Sequence, residues 1–134
     1  MTVSEVNNLC KNTLIDHLGI EITEVADGMI KARMPVDRRT KQPMDLLHGG
    51  ATMALAETVG SVGSYLLIDQ KKFDIVGIEI NGNHIGNTKG NYVEAIGKII
   101  HRGTKTHVWD IQVVDEYMSP VSVCRITNMV VDKK

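Results

Sequence analysis

The sequence predicts an α+β fold in which one antiparallel β-sheet wraps around a long central α-helix. Two observations lead to this prediction. Residues 48–67 are apolar on most sides, contain no proline and are long enough for a helix that is buried on more than one face. After residue 72 the pattern changes to four segments with alternating apolar residues, as in half-buried strands.

Each element is justified by its own local signal. Thr2 or Ser4 can cap a short amphipathic helix, since apolar residues recur at helical spacing up to Leu18-Gly19. Asp27-Gly28 between two alternating segments is a strong hairpin signal. Later turns are marked by Gly, Asn, Ser and Pro clusters, one of them at residues 86–91. In chain order the predicted elements are the short helix, strands at 20–25 and 29–36, a loop at 37–45, the long helix at 48–67, and strands at 73–85, 92–102, 106–115 and 121–131.

Size and composition limit the possible functions. The 134 residues are 43% hydrophobic and 23% charged, which is typical of one globular domain spanning residues 1–134. The net charge of −1 gives no electrostatic reason to expect a nucleic acid or an anionic membrane as partner. No signal-like start and no apolar run of the ~20 residues that cross a bilayer are present. Cys10 and Cys124 cannot form a multi-bridge framework, and the histidines show no zinc spacing, so we expect a soluble cytoplasmic protein without a metal.

The long helix carries one carboxylate, Glu57, inside the apolar segment QPMDLLHGGATMALAETVGSVGSYLLI. Charged side chains are almost never fully buried unless they are paired or used. Glu57 shares a stripe with Met53, Ser61 and Ser64, so the Ser61 hydroxyl lies one turn away and can steady the carboxylate. A helix Glu is more often a solvated surface residue, but the flanking turns here lack the usual polar neighbours. Glu57 is therefore a candidate base or nucleophile.

The residues before the helix predict an oxyanion site. Gly49 and Gly50 fall at the helix N-terminus, where backbone N–H groups lack intrahelical partners and the helix dipole favours negative charge. Glycine lets a ligand carbonyl approach this backbone closely. Gln42 can donate an amide N–H to the same oxygen, and His48 can bind the substrate or fix the loop. The structural alternatives are a capping role for His48 and a simple turn for the glycines.

The spacing between these groups predicts a site shared by two subunits. Eight residues separate Gly49 from Glu57, or ~12 Å along a helix at 1.5 Å per residue. A nucleophile must lie ~3 Å from the carbon whose oxygen the oxyanion donor holds. One chain can therefore hardly supply both groups to one carbonyl, and we expect Gly49 of one subunit to face Glu57 of another across a two-fold interface.

The same segment resembles the signature of hotdog-fold acyl-CoA thioesterases, and the stretches GIEINGNHI and HRGTKTHVWDIQVVDE are similar to that family as well. The most similar branch contains phenylacetate-pathway, 4-hydroxybenzoyl-CoA and dihydroxynaphthoyl-CoA thioesterases. The resemblance implies a hotdog fold, a homodimer that commonly assembles into a homotetramer as a dimer of dimers, and hydrolysis of an acyl-CoA substrate, with an aroyl group suggested. Coenzyme A is then part of the substrate, and no other cofactor is expected.

The resemblance also implies a role for each candidate residue. Glu57 corresponds to the catalytic carboxylate, and Gly49 is similar to the residue whose N–H polarises the thioester carbonyl. Gln42 and His48 match the contacts to the carbonyl and the leaving group. Ser61 matches the hydroxyl four residues beyond the carboxylate. Both a nucleophilic and a general-base role stay open for Glu57.

A later turn is a candidate for contact with the phosphates of coenzyme A. It offers two cations, a hydroxyl and a flexible backbone, although ordinary strand turns favour similar residues. In the resembling family this turn and the Asn83-His84 region lie near the CoA arm. The turn residues are Arg102, Gly103, Thr104 and Lys105.

Two other function classes remain as alternatives. A hotdog hydratase or dehydratase would act on an enoyl thioester, but the chain lacks the Pro-Gly-His-Phe-type stretch of those enzymes. A non-catalytic acyl-CoA-binding module would bind the same ligand without releasing a thiol. Only about eighteen residues precede the first predicted strand, so we do not expect the DNA-binding extension that an acyl-CoA-sensing regulator needs.

Overall fold

The computed structural model describes residues 1–88 and 90–134, so the predicted turn at 86–91 lies partly outside the described residues, at Lys89. The helices are α1 Val3–Leu9, α2 Leu14–His17 and α3 Gly49–Leu67. The strands are β1 Glu21–Ala26, β2 Met29–Pro35, β3 Phe73–His84, β4 Tyr92–Arg102, β5 Thr106–Asp115 and β6 Pro120–Asp132.

All strands form one antiparallel sheet in the order β1-β2-β4-β5-β6-β3. Helix α3 packs against β2 to β6, and the sheet curves around it. The predicted α+β fold is thereby confirmed, with the long helix and the later strands within three residues of their predicted bounds. The largest fully buried side chains of the core come from both layers and include Trp109, Ile22, Ile30, Met34, Leu55, Ile111 and Ile126.

Glycine lets α3 lie close to the sheet. A Cβ at Gly63 would lie 2.7 Å from the Trp109 ring, and one at Gly60 would overlap the Ile126 side chain. Larger residues at these positions would push the helix away from the sheet, because a packed interior leaves no free space to receive them. The small residues of the long helix therefore set the distance between the two layers.

The prediction of one continuous amino-terminal helix is wrong. Helix α1 is capped by Thr2, whose Oγ1 accepts from the Glu5 N–H at 3.2 Å, and it ends at Leu9. Asn12 then adopts a left-handed φ of 60°, and its N–H donates to Asp16 Oδ2 at 3.2 Å. Asn tolerates this conformation better than most residues do, and it breaks the helix into α1 and α2.

The stripe formed by Met53, Glu57 and Ser64 lies along β3 and β6. Met53 contacts the sheet beside Gly82, and Ser64 is fully buried under it. Glu57 stays exposed because the neighbouring strand, β3, is an edge strand, and no further strand of the sheet covers the carboxylate. The three side chains thus share one face of α3, but their burial differs: Ser64 is buried, Met53 is half-buried and Glu57 is exposed.

Candidate active site

The start of α3 holds two of the candidate residues in a fixed arrangement. His48 is the N-cap, and its Nδ1 accepts from the Gly50 N–H at 2.8 Å, so the capping alternative describes its contacts within the chain. The His48 N–H donates to Thr40 O at 2.8 Å, which ties the preceding loop to the helix start. Gly49 is the first helical residue, and its N–H has no intrahelical acceptor. The amide of Gly49 is therefore available to a negatively charged oxygen at the positive end of the helix dipole.

His84 lies directly against Gly49. A Cβ at Gly49 would be 2.8 Å from His84 Nε2, so glycine is what allows the imidazole to approach the helix start. His84 Nδ1 and Ser122 Oγ are 2.6 Å apart, and Ser122 is fully buried on β6. This bond fixes the ring orientation, with Nε2 on the side that faces Gly49. The sequence associated His84 with the CoA arm, whereas the structure places it beside Gly49; its partner Ser122 was not predicted.

Gln42 lies in the loop that leads to His48. Its Oε1 accepts from the Met44 N–H, and its backbone N–H donates to Leu46 O at 2.8 Å. Since Oε1 is occupied by the loop, the side-chain atom that can serve a ligand is Nε2, a donor. Nε2 is the atom that the predicted role of Gln42, donation to a carbonyl oxygen, would use.

Glu57 lies two turns further along α3, away from Gly49. Its side chain is exposed, and its Oε1 is 3.2 Å from the position that a Gly77 Cβ would occupy. Within residues 1–88 and 90–134 the Glu57 carboxylate accepts no hydrogen bond, including none from Ser61, the predicted partner. The carboxylate is thus free to bind a ligand, but its own chain does not bring it to the oxyanion site.

Ser61 borders an apolar cavity of about 470 Å³ between α1, α3 and β3. Tyr65 and Leu66 continue this wall along α3, and Ile75 closes it from β3. Ser61, at the start of this cavity, lies one helical turn (about 5.4 Å) from Glu57, so the cavity begins close to the carboxylate. Its volume is within the range of small-molecule sites, about 300–1,000 Å³.

The turn proposed for CoA phosphates lies at the opposite end of α3. Arg102, Gly103 and Thr104 border a recess together with Leu67 and Ile68, which end the helix. The sequence grouped this turn with Asn83 and His84, but within one chain they are separated by nearly the full length of β3. Twelve strand residues are joined by eleven steps of about 3.3 Å, or roughly 36 Å in all, so one subunit cannot bring both groups to one small ligand.

Lys105, the last residue of this turn, borders a second recess beside Phe73. Arg102 Nη1 donates to Asp27 Oδ1 at 3.1 Å, so one of the two predicted phosphate-binding cations is already paired at the surface. Exposed pairs of this kind are weak, about 0–1 kcal/mol, and a phosphate can replace the carboxylate.

Asn128 is a polar residue that the sequence prediction missed. It is fully buried on β6, opposite Gly77 in the sheet register, and its Oδ1 has no partner among the described residues. The signal was present, because Asn128 follows Cys124 and Ile126 on the inward face of a strand. A buried, unpaired amide oxygen near the candidate carboxylate requires an explanation.

Burial shifts the pKa values of both cysteine thiols. It raises the pKa of the Cys124 thiol, and nearby Asp110 acts in the same direction; burial and Asp16 do the same for Cys10. Both thiols are therefore protonated near neutral pH and are poor nucleophiles. Among the described residues no group of three or more His, Cys, Asp or Glu side chains is arranged around a metal position, and no helix is long and apolar enough to span a bilayer.

Comparison with known proteins identifies the family. Residues 44–121 match the model of the thioesterase superfamily. The crystal structure of a mutant of the thioesterase PA1618 from Pseudomonas aeruginosa has a TM-score of 0.96 and 40% identity, covering 99% of this chain and 96% of that one. Thioesterase HI1161 from Haemophilus influenzae has a TM-score of 0.94 and 39% identity, covering 98% and 92%. The 1,4-dihydroxy-2-naphthoyl-CoA hydrolase of Escherichia coli is 39% identical over 116 residues, which are 87% of this chain and 85% of that protein.

These matches agree with the resemblance that the segment around Glu57 carries, and they extend over nearly the whole chain. Thioesterases are hydrolases, and the similar solved structures share the sheet and the central helix described above. The chain belongs to the thioesterase superfamily and has its hotdog fold.

Proposed function

We propose that the protein hydrolyses an acyl-CoA thioester to a free acid and coenzyme A, in a site that two subunits build together. One observation carries the proposal: the helix start with Gly49 and the carboxylate of Glu57 both contact the same strand, β3, at two separate places. Gly49 lies against His84 and Glu57 lies against Gly77. β3 is an edge strand of the sheet, so the β3 strand of a second subunit can pair with its free edge.

The register of such an addition follows from these contacts. If two β3 strands pair antiparallel around Ile80 and Asn81, His84 of one strand lies opposite Gly77 of the other. Gly49 of one subunit then approaches Glu57 of the next, and the two-fold axis produces two equal sites. The same pairing brings the turn at residues 102–105 of one subunit, which lies beside Phe73, to the His84 end of its partner. The CoA contacts that are far apart in one chain would thus meet in the dimer.

The chemistry requires only these groups. A thioester carbonyl is electrophilic without protonation, and a thiolate is a good leaving group. The Gly49 N–H, with the Gln42 amide, would stabilise the oxyanion, and His48 and His84 would border the carbonyl and the sulfur. The Glu57 carboxylate would either attack the carbonyl carbon or remove a proton from the attacking water.

The acyl group would lie in the apolar cavity that starts at Ser61. An aryl group suits this cavity, since Tyr65 and the apolar wall can contact a flat ring. The E. coli relative is named for the hydrolysis of a naphthoyl-CoA, which favours an aroyl substrate for this chain as well.

A second apolar surface supports a dimer of dimers. Val76 and Met129 are 47% and 39% exposed, and they pair in register on the outer face of β3 and β6. Burying them against another dimer would remove this surface from water.

The test measures thiol release from a panel of aliphatic and aromatic CoA thioesters. We expect free thiol from the wild-type protein, with the highest kcat/KM for an aroyl-CoA. Glu57→Gln keeps the shape of the side chain and removes its charge, and it should lower kcat by about a hundredfold or more. Glu21→Gln is the matched control, because Glu21 is an exposed carboxylate on β1, at the other edge of the sheet.

Three outcomes would contradict the proposal. The first is near-normal turnover by the Glu57→Gln variant. The second is tight binding of the CoA thioesters without free thiol, which would indicate an acyl-CoA-binding module. The third is addition of water to an enoyl-CoA with the thioester intact, which would indicate a hydratase.

A further inference from the structure

The Asn128 side chain is held by a buried network that fixes the direction of its oxygen. Its Nδ2 donates to Gly60 O and to Ser64 Oγ, each at 3.0 Å. Ser64 Oγ also accepts from Trp109 Nε1 at 2.9 Å, so the serine is anchored to the core. A backbone carbonyl can only accept, and therefore the amide cannot be reversed without losing its bond to Gly60. The amide oxygen Oδ1 therefore lies on the side of the amide group that faces away from Gly60 O and Ser64 Oγ.

The Asn128 Oδ1 points into the space over Gly77. It is 3.6 Å from the position that a Gly77 Cβ would occupy, and Glu57 Oε1 is 3.2 Å from the same position. Asn128 and Gly77 are direct neighbours in the β3–β6 register, whereas Glu57 reaches the space from α3. Two hydrogen-bond acceptors from different elements thus flank the same position, where Gly77 has no side chain to separate them.

The chemistry of the two acceptors determines what can bind between them. Neither oxygen can donate to the other while Glu57 is ionised, so a molecule with two donor hydrogens is needed. A water molecule provides them, and with both hydrogens held its lone pairs face away from the two oxygens. Such a water is oriented as a nucleophile towards whatever lies in front of Glu57.

We propose that the space over Gly77 holds the hydrolytic water, that Asn128 orients this water, and that Glu57 acts as its general base. The inference rests on the function proposed above and assigns a role to a residue outside the predicted site. The water oxygen forms a bond to the thioester carbon while one of its protons passes to Glu57. The carbonyl electron pair moves to the oxygen held by the partner's Gly49 N–H. When the intermediate collapses, the C–S bond breaks, and the CoA thiolate leaves and receives the proton from Glu57.

Two variants, Asn128→Ala and Gly77→Ala, test the proposed water site by changing different residues that border it. Asn128→Ala removes the acceptor, and Gly77→Ala places a methyl group between Asn128 Oδ1 and Glu57 Oε1. Each should lower kcat about tenfold or more, the kinetic equivalent of one lost hydrogen bond to a reacting group. KM should stay nearly unchanged, because neither position contacts the acyl group or coenzyme A in the proposed complex. The double variant should be no slower than the slower single variant, since both changes affect the same water.

Thr127→Ala is the control, because Thr127 is adjacent on β6 but faces the other side of the sheet, and it should keep the wild-type kcat. If Asn128→Ala does not fold, the Gly77→Ala variant alone tests the role of Asn128, since it leaves the hydrogen bonds between Asn128, Ser64 and Trp109 intact. Wild-type kcat in the Gly77→Ala variant, a rise in KM alone, or additive losses in the double variant would overturn the role of Asn128. Activity of the Glu57→Gln variant would instead contradict the proposed function, so the two failures are distinguishable.

Discussion

The two edges of the sheet are treated in opposite ways. At the β1 edge, Asn7 of helix α1 donates from Nδ2 to Ile22 O at 2.9 Å and accepts the Ile22 N–H at 2.8 Å. One side chain thereby pairs with the backbone N–H and C=O of Ile22, which face away from the sheet. At the other edge, β3 is a twelve-residue strand, and its Val76 and Ile78 side chains are about half exposed. Unprotected strands of this length are sites where another chain can pair.

The difference indicates which edge would complete the proposed site. The β1 edge, where Asn7 of α1 pairs with the backbone of Ile22, carries no candidate catalytic residue. The open edge passes Glu57 near its middle and Gly49 at its end. We infer that the open edge is retained because pairing there is part of the chemistry, whereas the β1 edge is closed to prevent unwanted pairing.

The largest expected effect comes from blocking the open edge. Ile80→Pro and Asn81→Pro are made as separate variants, because successive N–H groups of a strand point to opposite sides. One of the two loses a bond to β6 and should destabilise the chain. The other loses only its outward N–H and should remain folded as a monomer, with thioester hydrolysis lowered about a hundredfold or more for lack of the partner's oxyanion donor. Light scattering gives the mass, and thiol release gives the activity.

The proline pair separates two explanations of low activity. A folded monomer with wild-type turnover would show that one chain suffices. A dimer in both variants would place the subunit contact at another surface.

The next effect is the recovery of activity in hybrid dimers. Gly49→Pro removes the N–H at the first helical position, where proline is favoured, and the preceding His48 already has the extended backbone that proline requires. Glu57→Gln removes the carboxylate. Each variant should be nearly inactive alone. Their mixture should regain about a quarter of the wild-type activity, since half the dimers are hybrids and each hybrid has one intact site.

The control for this mixture is Gly49→Ala. It adds a Cβ that crowds His84 as proline does, but it keeps the N–H. If alanine inactivates as strongly as proline, the loss comes from the displaced imidazole and not from the missing donor. Hybrid formation is followed by two affinity tags, and tagged hybrids without recovered activity would contradict the shared site.

Local periodicity was sufficient to predict most of the fold. Alternating side chains located β3 to β6, and the 1.5 Å rise of a helix was enough to predict that Gly49 and Glu57 of one chain can hardly serve one carbonyl. The break between α1 and α2 was missed because it depends on the left-handed φ of Asn12, a single-residue feature without a period. The hydrophobic pattern on both sides of that break stays helical.

The candidate site was only partly predictable for a related reason. The helix signature indicated Glu57 as a candidate, since it is a local pattern. The pairing of His84 with Ser122 and the orphan oxygen of Asn128 depend on which residues β3 and β6 bring opposite each other. That register is set by contacts distant in sequence, so no single segment reveals it.

A smaller effect is expected from opening the closed edge. Asn7→Ala removes both bonds to Ile22 and should lower the free energy of unfolding by about 2 kcal/mol, at roughly 1 kcal/mol per hydrogen bond. Activity at low temperature should stay normal, because the site is at the other edge. Urea unfolding measures the change, with the exposed neighbour Asn8→Ala as control. An equal loss of activity in the folded Asn7→Ala protein would mean that the two edges are not independent.

The smallest effect concerns His107, which is buried in β5, away from both edges. Burial lowers the pKa of His107, and the charge of Arg102 lowers it further, with His101 acting in the same direction. The unfolded chain therefore binds a proton first as the pH falls, so this group contributes stability above about pH 6.5 that is lost progressively below it. His107→Asn cannot titrate and should flatten the decrease of the unfolding midpoint between pH 7 and pH 5. An unchanged slope would show that protonation of His107 does not cause the loss of stability below about pH 6.5.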